Sequence, residues 1–107
     1  MGLLDLLKIK DINDYIEQYE GTSGALLLDV RTPEEYREER IPNSINIPLD
    51  RIESVARKVL DKKTPLFVHC RSGGRSSRAV AILKRMGYSN VYNIGGIMNY
   101  AGKKIRG

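Results

Sequence analysis

The sequence predicts an α/β fold with a mainly parallel sheet, and three observations support that prediction. Short apolar runs alternate with helical patterns along the chain, which is typical of strand–helix–strand units. The two clearest runs, Leu26–Val30 and Leu66–His69, are apolar on both faces, as buried parallel strands are. The 107 residues are 41% hydrophobic and 29% charged, ordinary values for a soluble globular protein. Because two domains of half this length would each have a marginal core, we expect a single domain over residues 1–107.

Five strands and four or five helices are expected along the chain. The first half is expected to contain an edge strand at Ile9–Asp11, a helix over about Ile12–Tyr19, and the strands Leu26–Val30 and Ile45–Ile47. Between the last two, Thr32-Pro33-Glu34-Glu35 has the pattern of a capping box, with Thr at the N-cap, Pro at the first helical position and Glu at the third. A further helix is therefore expected to begin after Thr32.

The second half is expected to contain two helices and two strands. A helix begins near Asp50, and its buried face is predicted at Ile52, Val55, Ala56, Val59 and Leu60. After the strand Leu66–His69, a helix runs from Ser76 to about Met86. The inward residues predicted for that helix are Ala79, Ile82, Leu83 and Met86, and Gly87 ends it. Val91–Ile94 is the last predicted strand, and a short helix or turn follows.

The charges are distributed unevenly. Residues 1–61 contain all 13 acidic residues and 8 basic residues, whereas residues 62–107 contain 10 basic residues and no acidic residue. Either the two halves neutralise each other in the fold, or the second half creates a local positive potential that attracts anions. The basic residues are dispersed and no aromatic-rich motif accompanies them, so a small anionic substrate is favoured over nucleic acid.

Simple counts exclude several classes of protein and site. The longest aliphatic stretch is Ala25–Leu28, far short of the roughly 20 apolar residues of a membrane span, and no secretory signal pattern is present. One cysteine excludes an internal disulfide, and one cysteine with one histidine is too few for a structural zinc site. We therefore expect no membrane association and no metal, and a reducing cytoplasm as the location.

One loop carries a chemical signature, Cys70-Arg71-Ser72-Gly73-Gly74-Arg75-Ser76. It lies between a hydrophobic strand and a helix start, which is where ligand sites lie in open parallel sheets. Gly73 and Gly74 allow successive N–H groups to point into one cradle, and the helix N-terminus and two arginines add positive charge. These surroundings favour an anion, and the first anion they can favour is the thiolate of Cys70.

Several kinds of cysteine chemistry can be compared for this loop. A lone cysteine is often a small hydrophobic filler, but a filler does not need a Gly-Gly loop and flanking arginines, so Cys70 is interpreted as a nucleophile. His69 precedes it on the strand and should point to the opposite face, so we interpret it as a scaffold residue. A thioredoxin-type centre would need a second cysteine. Phosphatases have Cys-(x5)-Arg, whereas Arg75 gives Cys-(x4)-Arg, and the shorter loop favours a cysteine that carries one extra sulfur atom.

Four segments, in order and at matching separations, resemble the single-domain rhodaneses, the thiosulfate sulfurtransferase family. The segments are Leu27–Tyr36, Ile41–Pro48, Cys70–Ser76 and Asn93–Ile97. The resemblance implies a rhodanese-like fold, with a five-stranded, mainly parallel sheet and helices on both faces. It also implies a double displacement, in which the cysteine takes sulfane sulfur as a persulfide and passes it to an acceptor. The sequence departs from the family at Glu39-Arg40, where Gly-His is usual, and at Tyr100, where Trp is common.

The resemblance also implies roles for individual residues. Cys70 would be the nucleophile and sulfur carrier. The residues that bind the substrate or stabilise the sulfur would be Arg71, Ser72, Gly73, Gly74, Arg75 and Ser76. The implied partners are a small anionic donor such as thiosulfate and an acceptor that is cyanide, a small thiol or a protein thiol, with no metal or organic cofactor. Near the site, an Arg31–Glu35 pairing that fixes the turn is expected, rather than a catalytic role for Asp29 or Arg31.

Two other functions stay open at this stage. A phosphatase or arsenate reductase of the same fold would use the same cysteine, although the short loop argues against it. A sulfur-relay or partner-binding module, whose acceptor is the thiol of another protein, is indicated by the basic second half. The relay interpretation is compatible with enzymatic sulfur transfer.

Overall fold

A computed structural model describes residues 10–107, in which strands and helices alternate. The helices are α1 (Ile12–Glu20), α2 (Pro33–Glu38), α3 (Val55–Lys58) and α4 (Gly74–Arg85). The strands are β1 (Leu26–Asp29), β2 (Glu39–Arg40), β3 (Ile45–Asn46), β4 (Leu66–Cys70), β5 (Val91–Gly96) and β6 (Ile105–Arg106). Two 3₁₀ segments, Leu49–Ser54 and Ile97–Asn99, lie before α3 and after β5.

The central sheet is parallel throughout and has the strand order β3-β1-β4-β5. The predicted α/β fold is therefore confirmed, with four strands rather than five in the sheet within residues 10–107. The remaining predicted strand, Ile9–Asp11, begins at Ile9, which lies outside the described residues, while Lys10 and Asp11 are in no strand. Asp11 instead caps α1, because its side chain accepts hydrogen bonds from two N–H groups of the first turn.

A register shift lies between β4 and β5. Val68 is opposite Asn93, but from the next pair onward the partners on β5 are displaced by one residue, which leaves Ile94 unopposed. A bulge of this kind bends a strand and re-aims the residues that follow it. As a result, Gly96 lies opposite Cys70, at the edge of the sheet where the glycine-containing loop begins.

Two apolar clusters, one on each face of the sheet, form the core. The first lies under α3, α4 and the preceding 3₁₀ segment, and the second lies under α1. Strand residues alternate between them, since Val68 and Cys70 belong to the first cluster and Phe67 to the second. The prediction of helices on both faces is confirmed, and Cys70 lies on the face that α4 covers.

The helix expected after Asp50 differs from the prediction. The segment begins as 3₁₀ helix, Arg51 departs from helical geometry with φ −121° and ψ 17°, and α3 ends at Lys58. Among the predicted inward residues, the buried ones are Ile52, Val55 and Val59, and the exposed ones are Ala56 and Leu60. Val59 already has an extended backbone, with φ −119° and ψ 91°. The helical spacing therefore no longer applies at Leu60, which is 80% exposed.

α4 begins two residues earlier than predicted, at Gly74, so its first turn lies inside the glycine-containing loop. The N-cap is Gly73, whose left-handed backbone with φ +113° starts the helix without a side-chain cap. The predicted inward residues are buried or half-buried against the first cluster, namely Ala79, Ile82, Leu83 and Met86. As expected, Gly87 follows the helix in a conformation that favours glycine, with φ +103°.

β2 and β6 form a separate antiparallel pair that was not predicted. β2 consists of Glu39 and Arg40, which stand where the rhodaneses usually have Gly-His. The Glu39 carboxylate lies 2.9 Å from the guanidinium of Arg106 and 3.9 Å from the ammonium of Lys104. At the other departure, Tyr100 packs half-buried against the second apolar cluster. Both departures therefore have packing partners.

Neither a membrane-spanning helix nor a metal-binding cluster is present among the described residues. In residues 10–107, no helix combines the length and the apolar character that crossing a membrane requires. Within the same range, no three His, Cys, Asp or Glu side chains are grouped so that they could hold a metal ion. For the whole chain, the absence of a metal and of membrane association stays a prediction.

Candidate functional site

The loop between β4 and α4 surrounds the sulfur of Cys70. Cys70 is the last residue of β4, and 1% of its surface is exposed. The N–H of Gly73 donates to Cys70 Sγ at 3.0 Å. The backbone φ of Gly73 is +113°, a value that would strain any residue with a side chain. Of the two glycines in the loop, Gly73 is therefore the one that the backbone conformation requires, whereas Gly74 continues into α4.

Hydrogen-bond donors around the Cys70 sulfur favour its anionic form. Burial acts to raise the pKa of the thiol, because a thiolate is poorly stabilised away from water. The hydroxyl of Ser76 and the N–H groups of Ser76, Gly73 and Ser72 act in the opposite direction. These donors prevail, and the pKa of Cys70 lies below its ordinary value. Among residues 10–107, the N–H of Gly73 is the backbone donor that lies within hydrogen-bond distance of the sulfur.

Ser76 and Asn93 support the loop from α4 and β5. The fully buried Ser76 hydroxyl lies 3.4 Å from Sγ of Cys70. It also lies 3.1 Å from the carbonyl oxygen of Gly73 and 2.7 Å from Oδ1 of Asn93. Asn93 Nδ2 donates to the same Gly73 carbonyl at 3.3 Å, and its Oδ1 accepts from the N–H of Gly95 at 3.1 Å. Asn93 therefore connects the loop to the end of β5.

The end of β5 packs directly against the loop backbone. A Cβ atom on Gly96 would overlap the carbonyl group of Arg71 and press on Cα of Ser72. At the same point, the N–H of Met98 donates to the Arg71 carbonyl at 3.2 Å. Gly96, the second glycine of Gly95-Gly96, is therefore required by the close approach of two backbone segments.

Arg75 is held by Glu35, which precedes it by 40 residues. Its Nη1 donates to Oε1 at 2.7 Å and its Nη2 donates to Oε2 at 3.0 Å. The hydrogen bond from Arg75 is the main reason that the pKa of Glu35 falls from 4.5 to about 2. Glu35 also accepts from the N–H of Thr32, which completes the predicted capping box of α2. Because Arg75 is engaged in this pair, it is less available to an anionic donor than the sequence suggested.

Arg71, in contrast, is exposed at the start of the loop. Among residues 10–107, no carboxylate lies within ion-pair distance of its guanidinium. It lines an open hollow whose other lining residues are Arg31, Glu35, Glu38, Glu39, Ile97 and Met98. Of the two loop arginines, Arg71 is therefore the one without a carboxylate partner among residues 10–107.

Asp29 and Arg31 form a buried ion pair beneath the neighbouring loop, at 0% and 4% exposure. Nε and Nη2 of Arg31 donate to the Asp29 carboxylate at distances of 2.7 to 3.1 Å. The expected pairing of Arg31 with the carboxylate of Glu35 is wrong, because that carboxylate is bound to Arg75. Arg31 instead donates to the backbone carbonyls of Glu35 at 3.4 Å and Glu39 at 2.7 Å. It fixes the turn, as predicted, through main-chain oxygens.

His69 lies on the face of the sheet opposite to Cys70 and is fully buried. Its Nδ1 lies 3.4 Å from the carbonyl oxygen of Cys70, and its Nε2 lies 3.9 Å from Oδ2 of Asp29. Nε2 has no hydrogen-bond partner within residues 10–107. Burial is the main reason that the pKa of His69 lies below its ordinary value, so the ring is neutral at pH 7. Its position supports the interpretation of a scaffold residue.

Two residues of the site were not recognised in the sequence. Glu35 was expected only in the capping box and in a pairing with Arg31, since local spacing gives no sign of a partner 40 residues away. Asn93 was part of a motif but had no role of its own. A polar residue inside the apolar strand Val91–Ile94, directly before Gly95-Gly96, is the signal that could have indicated it.

Comparison with known proteins gives one consistent result. The family model named Rhodanese-like domain matches residues 11–103. Thiosulfate sulfurtransferase PspE of Escherichia coli is 42% identical over 81 residues, which are 75% of this chain and 78% of that protein. A protein of Ogataea parapolymorpha named adenylyltransferase and sulfurtransferase is 38% identical over 93 residues, which are 86% of this chain and 24% of that protein.

A solved structure described as a rhodanese with anions from E. coli has a TM-score of 0.72 at 40% identity, and the match covers 78% of this chain and 99% of that one. The fold, the glycine-containing loop around one cysteine and the extent of the family match agree with one another. The chain therefore belongs to the family of rhodanese-like domains.

Proposed function

We propose that this protein is a thiosulfate sulfurtransferase that carries sulfane sulfur on Cys70. The observation on which the proposal rests is the Cys70 sulfur, which lies 3.0 Å from the N–H of Gly73 and within reach of the Ser76 hydroxyl. An E. coli relative that is 42% identical and named thiosulfate sulfurtransferase supports the same activity. Cys70 is the catalytic residue, and Arg71 receives the anionic donor.

The reaction proceeds in two displacements. The Cys70 thiolate attacks the outer sulfur of thiosulfate, a new S–S bond forms, and sulfite leaves with the electron pair of the bond that breaks. Cyanide or a thiolate then attacks the outer sulfur of the persulfide, and the electron pair returns to Cys70 as thiolate. Both half-reactions have an anionic sulfur at the centre of the loop. The N–H donors that favour the thiolate therefore also favour the persulfide.

A phosphatase or arsenate reductase activity is less well supported. Such enzymes surround an oxyanion with loop N–H groups and an arginine. In this loop the arginine arrives one position early, and Arg75 donates both terminal nitrogens to Glu35. A loop that closes around one sulfur atom requires no such arginine contact.

The proposed function is tested by intact mass spectrometry after incubation with thiosulfate. The wild-type protein is expected to gain the mass of one sulfur atom and to lose it on addition of cyanide, because Cys70 is the only cysteine. Cys70→Ser is the matched control and is expected to gain nothing. Absence of an adduct on a folded protein whose cysteine reacts with iodoacetamide would contradict thiosulfate as the donor. An adduct that persists in Cys70→Ser would contradict the assignment of the carrier.

A second candidate function, sulfur relay to an acidic protein thiol, is favoured by the surface of α4. Part of the basic second half is neutralised by the first half, as in the pairs of Arg75 with Glu35 and Arg106 with Glu39. Arg78 has no carboxylate within ion-pair distance among residues 10–107, and the same is true of Arg85. The basic residues of the second half are therefore neutralised by the first half in one part of the surface, and among the described residues they form an unpaired positive region in another.

Arg78 and Arg85 lie on either side of an apolar hollow lined by Leu49, Ala81 and Ile82. The two arginines are seven residues apart, about 10 Å along the helix axis. We call the surface of α4 from Arg78 to Arg85 the docking row. Because α4 begins within the loop, the docking row leads away from the sulfur site. An acidic protein bound along it would have its thiol close to Cys70.

Two cysteine peptides that differ only in charge test the relay. Unloading of the persulfide is expected to be about tenfold faster with a cysteine flanked by aspartates than with one flanked by lysines, and the difference is expected to shrink at high salt. The double variant Arg78→Glu/Arg85→Glu should lose this preference. The control variant Lys63→Glu/Lys103→Glu has the same net charge and should keep it. Equal loss in both variants would indicate a general charge effect and no docking row.

We further propose that the protein works in a reducing compartment such as the cytoplasm. Cys70 must be a free thiolate to accept sulfur, and it is unpaired in the structure. An oxidising compartment would compete for that thiolate.

A further inference from the structure

The hydroxyl of Ser76 is the centre of a competition for one proton. A serine hydroxyl donates a single hydrogen bond. Three acceptors surround the Ser76 Oγ: Asn93 Oδ1 at 2.7 Å, the Gly73 carbonyl at 3.1 Å and Cys70 Sγ at 3.4 Å. Asn93 Oδ1 is the nearest of the three, so it is the strongest competitor of the sulfur.

The amide of Asn93 has one possible orientation. The oxygen faces the N–H of Gly95 at 3.1 Å, and the nitrogen faces the carbonyl of Gly73 at 3.3 Å. A flipped amide would place two donors against each other at one contact and two acceptors at the other. Asn93 therefore presents an acceptor to Ser76, and the proton between them belongs to the serine.

The acceptor to which the Ser76 hydroxyl donates depends on whether the Cys70 sulfur is a neutral thiol or an anion. With a neutral thiol, S–H donates to Ser76 Oγ, and the Ser76 hydroxyl donates to Asn93, so every group is satisfied. With an anionic sulfur, the Ser76 hydroxyl must turn to Sγ. That turn leaves Ser76 Oγ and Asn93 Oδ1 facing each other without a proton at 2.7 Å.

We propose that Asn93 is a positioning residue that competes with Cys70 for the proton of Ser76 and so limits how strongly this hydroxyl stabilises an anionic sulfur. The residue does not touch the reacting atoms, and it acts through Ser76. The contacts among Asn93, Ser76 and Cys70 do not depend on which reaction the protein performs. Only the catalytic consequence rests on the proposed sulfur transfer.

The other charged groups near the sulfur are separate from this contact. Arg75 lies in the loop and is paired with Glu35 from α2. Asp29 from β1 is paired with Arg31, on the face of the sheet opposite to Cys70. Neither pair, nor the exposed Arg71, makes a hydrogen bond with Asn93, so a neutral replacement of Asn93 is expected to act on the sulfur through Ser76.

The first test is the titration of Cys70 in Asn93→Leu, a change that removes the acceptor at nearly constant size. Because the chain has one cysteine, the pH dependence of alkylation reports on Cys70 alone. The Ser76 proton becomes available to the sulfur, so the thiol pKa is expected to fall by about one unit. A purely structural role predicts the opposite sign, since a loosened loop would lose its N–H donors.

Three further variants make the result specific. Asn99 is also exposed and lines the same surface hollow as Asn93, so Asn99→Leu makes the same chemical change nearby and is expected to leave the pKa unaltered. In a Ser76→Ala background, Asn93→Leu is expected to have no effect, because the shared proton is absent. If Asn93→Leu does not fold, Asn93→Asp serves instead. It strengthens the acceptor and should raise the pKa more than Asn99→Asp does.

The kinetic consequence separates the two half-reactions. A thiolate of lower pKa is a weaker nucleophile and a better leaving group, by about threefold in each direction for a one-unit shift. Asn93→Leu should therefore load more slowly at high pH and unload to cyanide faster. A raised or unchanged pKa in folded Asn93→Leu, or a fall that persists in the Ser76→Ala background, overturns the proposal. The titration stands even if thiosulfate is not the donor, so failure of the proposed function is recognised separately.

Discussion

Gly96→Ala is expected to reduce the rate of persulfide loading by roughly a hundredfold, the effect of losing a preorganised hydrogen-bond donor. The added methyl group would overlap the carbonyl of Arg71 and press on Cα of Ser72. Both are backbone atoms, so no side-chain rotation relieves the contact and the loop itself must move. That movement takes the N–H of Gly73 away from Cys70 Sγ. Overpacking of this kind also lowers the free energy of unfolding by about 1–3 kcal/mol.

The measurement compares loading, followed by intact mass, with urea unfolding of the same samples. Gly21→Ala is the matched control, because this glycine follows α1 outside the loop, a Cβ there would come no closer than 3.6 Å to its neighbours, and the backbone φ of −88° is compatible with alanine. It is expected to load and to unfold like the wild-type protein. Normal loading by Gly96→Ala would mean that the position of the loop backbone does not matter for the chemistry.

Asp29→Ala is expected to lower the free energy of unfolding by about 3–5 kcal/mol. The substitution leaves the guanidinium of Arg31, which is 4% exposed, without its carboxylate. Unlike a surface arginine, Arg31 has little access to water that could replace this partner. It also holds the carbonyls of Glu35 and Glu39, so the turn and the end of α2 are expected to loosen with it.

Denaturant unfolding with Glu34→Ala as the control measures this effect. Glu34 lies 3.9 Å from Arg37, and both side chains are 71% exposed. Removal of such a surface pair should change the free energy of unfolding by less than about 0.5 kcal/mol. If Asp29→Ala behaves like Glu34→Ala, the buried pair does not contribute to stability in the way its geometry indicates.

The sequence predicted those features that depend on neighbouring residues. The capping box at Thr32 and Glu35, the strand that ends at Cys70 and the inward face of α4 are all determined by spacings of a few residues. Leu60 shows the limit of such spacing. Its position continues a helical pattern, but nothing in that pattern indicates that the helix has already ended at Lys58.

Features that depend on the order of the strands could not be predicted. The Glu35–Arg75 pair joins two segments that meet only because β1 and β4 are neighbours in the sheet. The β2–β6 pair joins two-residue strands whose side chains carry no strand pattern. Asn93 likewise reaches Ser76 because β5 follows β4 in the sheet. The residues of the Cys70–Ser76 loop, and then the resemblance to rhodaneses, indicated where a site is expected, whereas these contacts are visible only in the folded chain.

α2 has a consequence for dynamics that follows from how little it buries. The helix has six residues and no buried side chain, so neither its length nor its packing can sustain it alone. It is held by the capping box, by the hydrogen bonds from Arg31 to the carbonyls of Glu35 and Glu39, and by Arg75, which donates to Glu35 from the first turn of α4. We therefore expect unwinding of α2 and loosening of the sulfur loop to be one cooperative opening event, with a shared level of amide-exchange protection. A spectroscopic label on the solvent side of α2 would then report the opening of the sulfur loop from a distance, without any change to the loop itself.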